Sequence, residues 1–240
     1  MRQRVQEWFL WIGLGGALVY AGAFIFLMGL VPPPPPKLPP EAVAEMFARN
    51  NLQFKIGGIV AIAASGFWLP IGALISKQMA RHERGFPLWS VLQAMASTIG
   101  AWIFGFPILI WYVAAFTPER DPQVTAALNE FAWLAFLTPI VAFTLQVLPV
   151  IVICFTSEVH GQYTAFPRWF GYLSIWALAV GEIPVLAIIF KSGPAAWNGL
   201  ISFWCPAIGY SIWLTTFSYL LWRAIQHQTQ TEPEFQRIAV

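Results

Sequence analysis

Charge is scarce in this chain. Its 240 residues carry 13 Lys+Arg and 11 Asp+Glu, 10% of the total, against about 25% in soluble domains. The net charge of +2 is too small for a polyanion-binding surface, so nucleic acid is excluded as a partner. A soluble globule and a disordered chain are excluded too, because several charge-free stretches run past the roughly 20 residues of a membrane crossing.

Cysteine and histidine are nearly as rare. Cys154 and Cys205 have no CxxC or His-linked spacing. They read as small apolar packing residues rather than as a disulfide or a zinc site. The three histidines, His82, His160 and His227, each follow an even-numbered apolar stretch, with Glu83, Glu158 and Glu232 nearby. A metal centre would need the three rings to converge within about 4 Å of one another. No HxxxH, HxH or ExxH spacing supports that, so they are weak metal candidates and read as ordinary juxtamembrane residues. Haem buried in a bundle needs axial ligands within it, and none of these histidines is there. A Walker-A loop, a dinucleotide glycine fingerprint, an HExxH helix, a Ser-His-Asp order and paired carboxylates within one span are all missing. The expectation is a protein without catalytic activity and without a cofactor.

What the chain does have is apolar length, with 58% hydrophobic residues. Six stretches are long enough for a helix to cross about 30 Å of hydrocarbon: residues 8–31, 56–76, 88–116, 131–155, 169–190 and 197–222. The runs are continuous and lack the period-two alternation of barrel strands, so the fold class is all-α, a polytopic transmembrane bundle of six kinked helices. All 240 residues form one transmembrane domain. The first stretch follows Arg2 and Arg4 like a signal peptide, but it is too long for one and no small-x-small pattern precedes Pro32, so it reads as a retained helix.

An even number of spans puts both termini on one side. That side carries Arg2, Arg4, Lys77, Arg81, Arg84, Arg168, Arg223 and Arg237; the other carries Lys37, Arg49, Lys55, Arg120 and Lys191. The excess of basic residues, concentrated in the short Lys77–Arg84 turn, predicts cytoplasmic termini. The loops at 31–55 and 117–130 are then extracytoplasmic. In the first, Pro32–Pro36 form a polyproline II spacer, and Pro39-Pro40-Glu41 opens a helix to Ala48 that leads into span two. In the second, Asp121 caps and Pro122 begins a helix continuing through Leu128 into span four. Ser192-Gly193-Pro194 is expected to start span six directly.

Local motifs recur as if the chain were three helical hairpins. Phe86-Pro87-Leu88-Trp89 matches Phe166-Pro167-Arg168-Trp169, and Phe67-Trp68-Leu69-Pro70 matches Phe203-Trp204-Cys205-Pro206. Gly105-Phe106-Pro107 matches Gly181-Glu182-Ile183-Pro184. Chance in a chain so rich in Phe, Trp and Pro is the competing reading. Pro70, Pro107, Pro139, Pro149, Pro184 and Pro206 each remove a helix hydrogen bond. The kinks either shape the bundle or line a cavity, since the freed carbonyl needs a partner from protein or water.

Glu182 is the one charge deep within a span, about 13 Å below the boundary marked by Lys191. A carboxyl there is protonated, paired or wet. It reads either as a proton-, cation- or ligand-coupled site or as an acid bonded to a kink carbonyl or a neighbouring side chain. Gln146 and Gln93 are its candidate partners, with interhelical bonding as their simpler role, and Trp176 is a candidate lining residue. Among the thirteen tryptophans, Trp8, Trp11, Trp89, Trp111, Trp169, Trp197 and Trp222 lie near span ends, where an interfacial belt is expected. Trp68, Trp102, Trp133, Trp176, Trp204 and Trp213 lie deeper and either face lipid or line an apolar pocket. Gly13, Gly15, Gly16 and Gly22 allow close helix approach in span one.

The segments Pro118-Glu119-Arg120-Asp121-Pro122, Leu128-Asn129-Glu130-Phe131-Ala132-Trp133, Phe166-Pro167-Arg168-Trp169 and Gly193-Pro194-Ala195-Ala196-Trp197-Asn198-Gly199 resemble a family of bacterial six-span inner-membrane proteins from Glu41 to Arg223. The resemblance implies a bacterial inner-membrane location and brings no activity with it. Two functions fit the residues. One is binding or moving a small apolar or weakly polar molecule at Glu182. The other is a non-catalytic accessory or anchoring subunit of a membrane enzyme or transport complex. The lipid bilayer is the first partner in either case, and the edges of so small a bundle suit a homo-oligomer or a larger membrane complex.

Overall fold

The computed structural model describes residues 3–159, 163–228 and 230. Helices α1 (Gln3–Gly22), α2 (Pro40–Arg49), α3 (Asn51–Ser65), α4 (Trp68–Ala80), α5 (Leu88–Phe116), α6 (Pro122–Leu137), α7 (Ile140–Thr156), α8 (Arg168–Gly181) and α9 (Cys205–Gln226) follow in chain order. Short π-helical segments, Ala23–Leu27 and Leu200–Trp204, extend α1 and precede α9, and a 3-10 segment, Ile183–Ile188, continues α8. No β-strand occurs among the described residues.

Six apolar helical stretches are long enough to cross a membrane: Gln3–Leu27, Asn51–Ala80, Leu88–Phe116, Pro122–Thr156, Arg168–Ile188 and Leu200–Gln226. The third coincides with the residues expected from the sequence. The first starts five residues earlier than expected, because polar Gln3 and Gln6 make hydrogen bonds to the last helix and helical structure continues through them. The sixth begins at Leu200 rather than at Trp197. Residues 193–199 are instead folded into a loop by the backbone bonds Ala196 N–H to Gly193 O and Gly199 N–H to Ala196 O. Both outer-loop helices form as expected, and the Asp121 side chain accepts from the Gln123 N–H at 2.7 Å.

The prolines divide into two groups. Pro107 and Pro149 lie inside continuous helices. Pro70, Pro139, Pro184 and Pro206 stand within three residues of the start of a helical segment: Pro139 is the N-cap of α7, Pro70 the third residue of α4, and Pro184 and Pro206 the second residues of segments where the helix type changes. Spans two and four are therefore each two helices meeting at a break, at Gly66-Phe67 and at Thr138-Pro139. Two of the three motif pairs share a local geometry. Pro87 and Pro167 each cap the start of a helix, and Pro70 and Pro206 each fall in a first turn. The third pair diverges: Pro107 stays within α5, whereas Glu182-Ile183-Pro184 ends α8.

The spans form a ring in chain order. α1 packs on α3 and α4, these on α5, α5 on α7, α7 on α8, α8 on α9, and α9 returns to α1. Aromatic side chains fill the ring. Tyr210 of α9 lies within 6.4 Å, centroid to centroid, of Trp68, Phe104, Phe143 and Trp213, which come from four spans. Trp68, Trp111, Trp133 and Trp213 are all at most 1% exposed. In lipid no hydrophobic effect pulls helices together, so close packing of large surfaces must do so; each aromatic pair adds about 0.5–1.5 kcal/mol. Small residues let the backbones approach. Gly13 abuts Ile71 and Gly16 abuts Phe67, whereas Gly15 and Gly22 face open space.

Gly72 tests this closeness, since a Cβ there would stand 2.3 Å from Ser97 Cβ across the α4–α5 contact. Gly72→Ala should lower stability by about 1–3 kcal/mol in thermal unfolding of the detergent-solubilised protein. Gly15→Ala, with nothing in its way, should be neutral or stabilising by about 0.5–1 kcal/mol. Equal effects of the two substitutions would contradict the packing described.

Candidate functional site

Glu182 is the C-cap of α8, where the α-helix tightens into the Ile183–Ile188 3-10 segment. Its Oε1 accepts from Thr144 Oγ1 at 2.5 Å. Thr144 has one hydrogen to give, and its hydroxyl also lies 3.2 Å from Ile140 O. Among the described residues Thr144 is the one hydrogen-bond partner of this carboxyl group, which retains unfilled acceptor capacity. Glu182 is half-buried, and it continues the exposed stripe of Ile175 and Ala179 at helical spacing. It therefore belongs to the outward face of the bundle and not to the aromatic centre.

The other candidates do not converge on it. Trp176 is 45% exposed, and its ring edge lies against Gly209 of α9. Gln146 is buried on a different face of α7, where its Nε2 donates to Ala96 O of α5 at 3.1 Å. Gln93 lies farther along α5. Its Oε1 accepts from Ser76 Oγ of α4, and its Nε2 donates to Ser97 Oγ at 2.9 Å. Both glutamines thus bind helices together.

The tryptophans also sort differently from their sequence positions. Trp8, Trp11, Trp89, Trp169 and Trp222 are exposed near span ends, as a belt requires. Trp111 and Trp197 are buried instead, because each indole finds an acceptor inside the protein. Trp111 donates to Asn129 Oδ1 at 3.1 Å and Trp197 to Pro34 O at 2.7 Å. Trp102, Trp176 and Trp204 face outward, and Trp68, Trp133 and Trp213 inward.

Histidines 82 and 227 lie in separate surroundings. His82 Nδ1 is 2.6 Å from Ser157 Oγ, and its ring meets Phe166 edge-on. His227 stacks on Tyr163 with centroids 3.8 Å apart. His160 lies outside the described residues. Among the described residues no group of three His, Cys, Asp or Glu side chains could hold a metal ion. Cys154 and Cys205 are free thiols on different helices.

Two features escaped the sequence reading. At the end bearing the termini, a glutamine network ties α1, α4 and the residues just after α9: Gln78 Nε2 to Gln6 Oε1 at 2.6 Å, Gln6 Nε2 to Gln228 Oε1 at 2.8 Å, and Arg81 to Gln78 Oε1 at 3.0 Å. Gln6 and Gln78 are almost wholly buried; two isolated glutamines at matching depth in spans one and two were the available signal. At the opposite end, Lys37 and Lys191 share a cavity formed by two loops far apart in sequence. No sequence pattern marks that encounter.

The fold defines an integral membrane protein whose outward surface meets the lipid bilayer. No family model, curated protein or solved structure matches this chain.

The turn after α4 carries a strongly perturbed histidine. Burial, and secondarily the neighbouring Arg81 charge, holds the His82 imidazole down at about 3. Glu83 meanwhile caps the start of α5 through the Trp89 and Ser90 N–H groups, and Arg84 pairs with Glu158 at 2.7 Å. The unfolded chain takes up a proton near pH 6.5, and the folded chain does so only near pH 3. Stability is therefore full above about pH 6.5 and falls as the pH drops below it. Thermal unfolding at pH 7.5 and pH 5 should show a loss of up to about 1.4 kcal/mol per pH unit below 6.5, and His82→Gln should flatten that dependence. An unchanged slope in the variant would refute the assignment.

Proposed function

We propose that this protein is a non-catalytic accessory subunit of a membrane complex, and that the Glu182 face of α8 receives a transmembrane segment of a partner protein bearing a Lys or Arg at matching depth. One observation carries the reading: a carboxyl group with a single hydrogen-bond partner lies on the lipid-directed stripe that includes Ile175 and Ala179. A carboxyl group facing hydrocarbon is costly, and a basic side chain from a neighbouring helix relieves that cost. A second copy of this chain supplies no such group, because its six apolar stretches contain no Lys or Arg at that depth. Aromatic rings occupying the centre of the ring support the same reading, since they place the available polar chemistry on the outside.

The alternative, binding or moving a small apolar molecule, draws its support from Trp176, half exposed on the same helix. Such a ligand would sit in the groove between α8 and α9 and not within the ring. In either case the excess of Lys and Arg at the end bearing the termini, Lys77 and Arg84 among them, favours cytoplasmic termini. The family resemblance adds a bacterial inner membrane.

The test is photo-crosslinking from Ile175 in membranes, followed by mild-detergent purification and mass spectrometry. A single protein crosslinked in stoichiometric yield, and reduced at least tenfold by Glu182→Leu but not by Trp176→Leu, is the expected result. The free chain should unfold at a similar temperature in both variants. Crosslinks to lipid alone, or a small molecule lost on Trp176→Leu, would overturn the subunit reading.

A further inference from the structure

At the end opposite the termini, the proline arm folds back across the start of span six. The Trp197 indole donates to Pro34 O at 2.7 Å, and Trp197 is 3% exposed, so the arm is bolted to the loop that precedes α9. That loop is itself internally braced. Ile201 N–H donates to Pro194 O at 3.0 Å and Ser202 Oγ to Ala195 O at 2.8 Å. Gly193 turns the chain at φ +78°, and Gly199 passes so close to Pro194 that a Cβ would lie 2.3 Å from its carbonyl oxygen. Proline and these close contacts make both walls stiff before any ligand arrives.

Between the walls lies a cavity of about 440 Å³ whose lining includes Lys37, Lys191, Ser192 and Asn198 and no acidic residue. Lys37 Nζ stands 3.3 Å from Ser192 Oγ, and no carboxylate among the described residues pairs with it. Lys191 adjoins Ser192 in the chain and forms an exposed ion pair with Glu130 at 3.2 Å; a pair of that kind contributes little and yields readily. Two lysines, a serine and an asparagine thus line one space. The lining also includes Leu200, 61% exposed and the first residue of the sixth apolar span. Two lysines lining one cavity where an apolar span begins suit an oxyanion at the membrane surface, and lysine is a common phosphate ligand acting as a point charge.

We propose that this cavity binds a phosphate group, carried by a phospholipid headgroup or free in solution, with Lys37 as the principal charge and Lys191, Ser192 and Asn198 as supporting donors. It is a site separate from Glu182, which lies within the membrane.

The test uses the purified full chain in neutral maltoside with two probes: phosphatidylglycerol, counted by native mass spectrometry, and inorganic phosphate, titrated calorimetrically. The expected result is one retained phosphatidylglycerol per chain, reduced at least tenfold by Lys37→Gln with Lys191→Gln. Lys37→Gln alone, which disturbs only the contact to Ser192, should account for most of the loss and leave the unfolding temperature unchanged. Saturable binding of inorganic phosphate that displaces the lipid identifies the free anion as the ligand; lipid retention unaffected by millimolar phosphate identifies the headgroup. Absence of binding by both probes, or equal binding by the substituted chain, overturns the proposal.

Discussion

Hydrocarbon offers a peptide backbone nothing to bond to, and this single constraint organises the molecule. Every N–H and C=O within the membrane must find its partner in the protein, which selects helices and makes each helix break costly unless something fills it. Side chains from other elements add further bonds to helix carbonyls. Tyr20 donates to Phe104 O, Asn51 to Ala115 O, Tyr112 to Lys55 O and Gln53 to Phe26 O, all within 3.1 Å. Gln146 does the same for Ala96 O. These bonds cross from one element to another, so they fix how neighbouring elements lie against one another.

The same constraint separates interior from exterior. The ring of spans is filled by aromatic rings whose attraction is contact, and its polar side chains are mostly spent on joining helices. Glu182 departs from that economy. Among the described residues it has one hydrogen-bond partner, and it is half-buried at the end of the exposed stripe of α8. Its environment is the reason to look for function on the surface of the bundle and not in a central channel.

The two ends of the molecule are built differently. The end with the termini is sewn by glutamine amides and by the His82–Ser157 contact. The opposite end is held by a rigid proline arm bolted to a folded loop, and it leaves a cationic cavity. Neutral amide networks need no solvent screening and can be buried almost completely, as Gln6 and Gln78 are. Lysines cannot, and they remain at an open rim.

Apolar length and local capping chemistry sufficed, by themselves, to establish six apolar helices, their order, and the Asp121 and Pro122 helix start, because those depend on local chain chemistry and on the cost of placing charge in lipid. The span limit at Gln3 and the burial of Trp111 and Trp197 depended on partners distant in sequence. So did the placing of Glu182, Gln146 and Gln93 at three separate points. A helix period shows which residues share a face; only tertiary packing decides whether that face meets another helix, an aromatic centre or lipid. The encounter of Lys37 with Lys191 is of this second kind, since 153 intervening residues separate them in the chain and only the folding back of the proline arm brings them to one cavity.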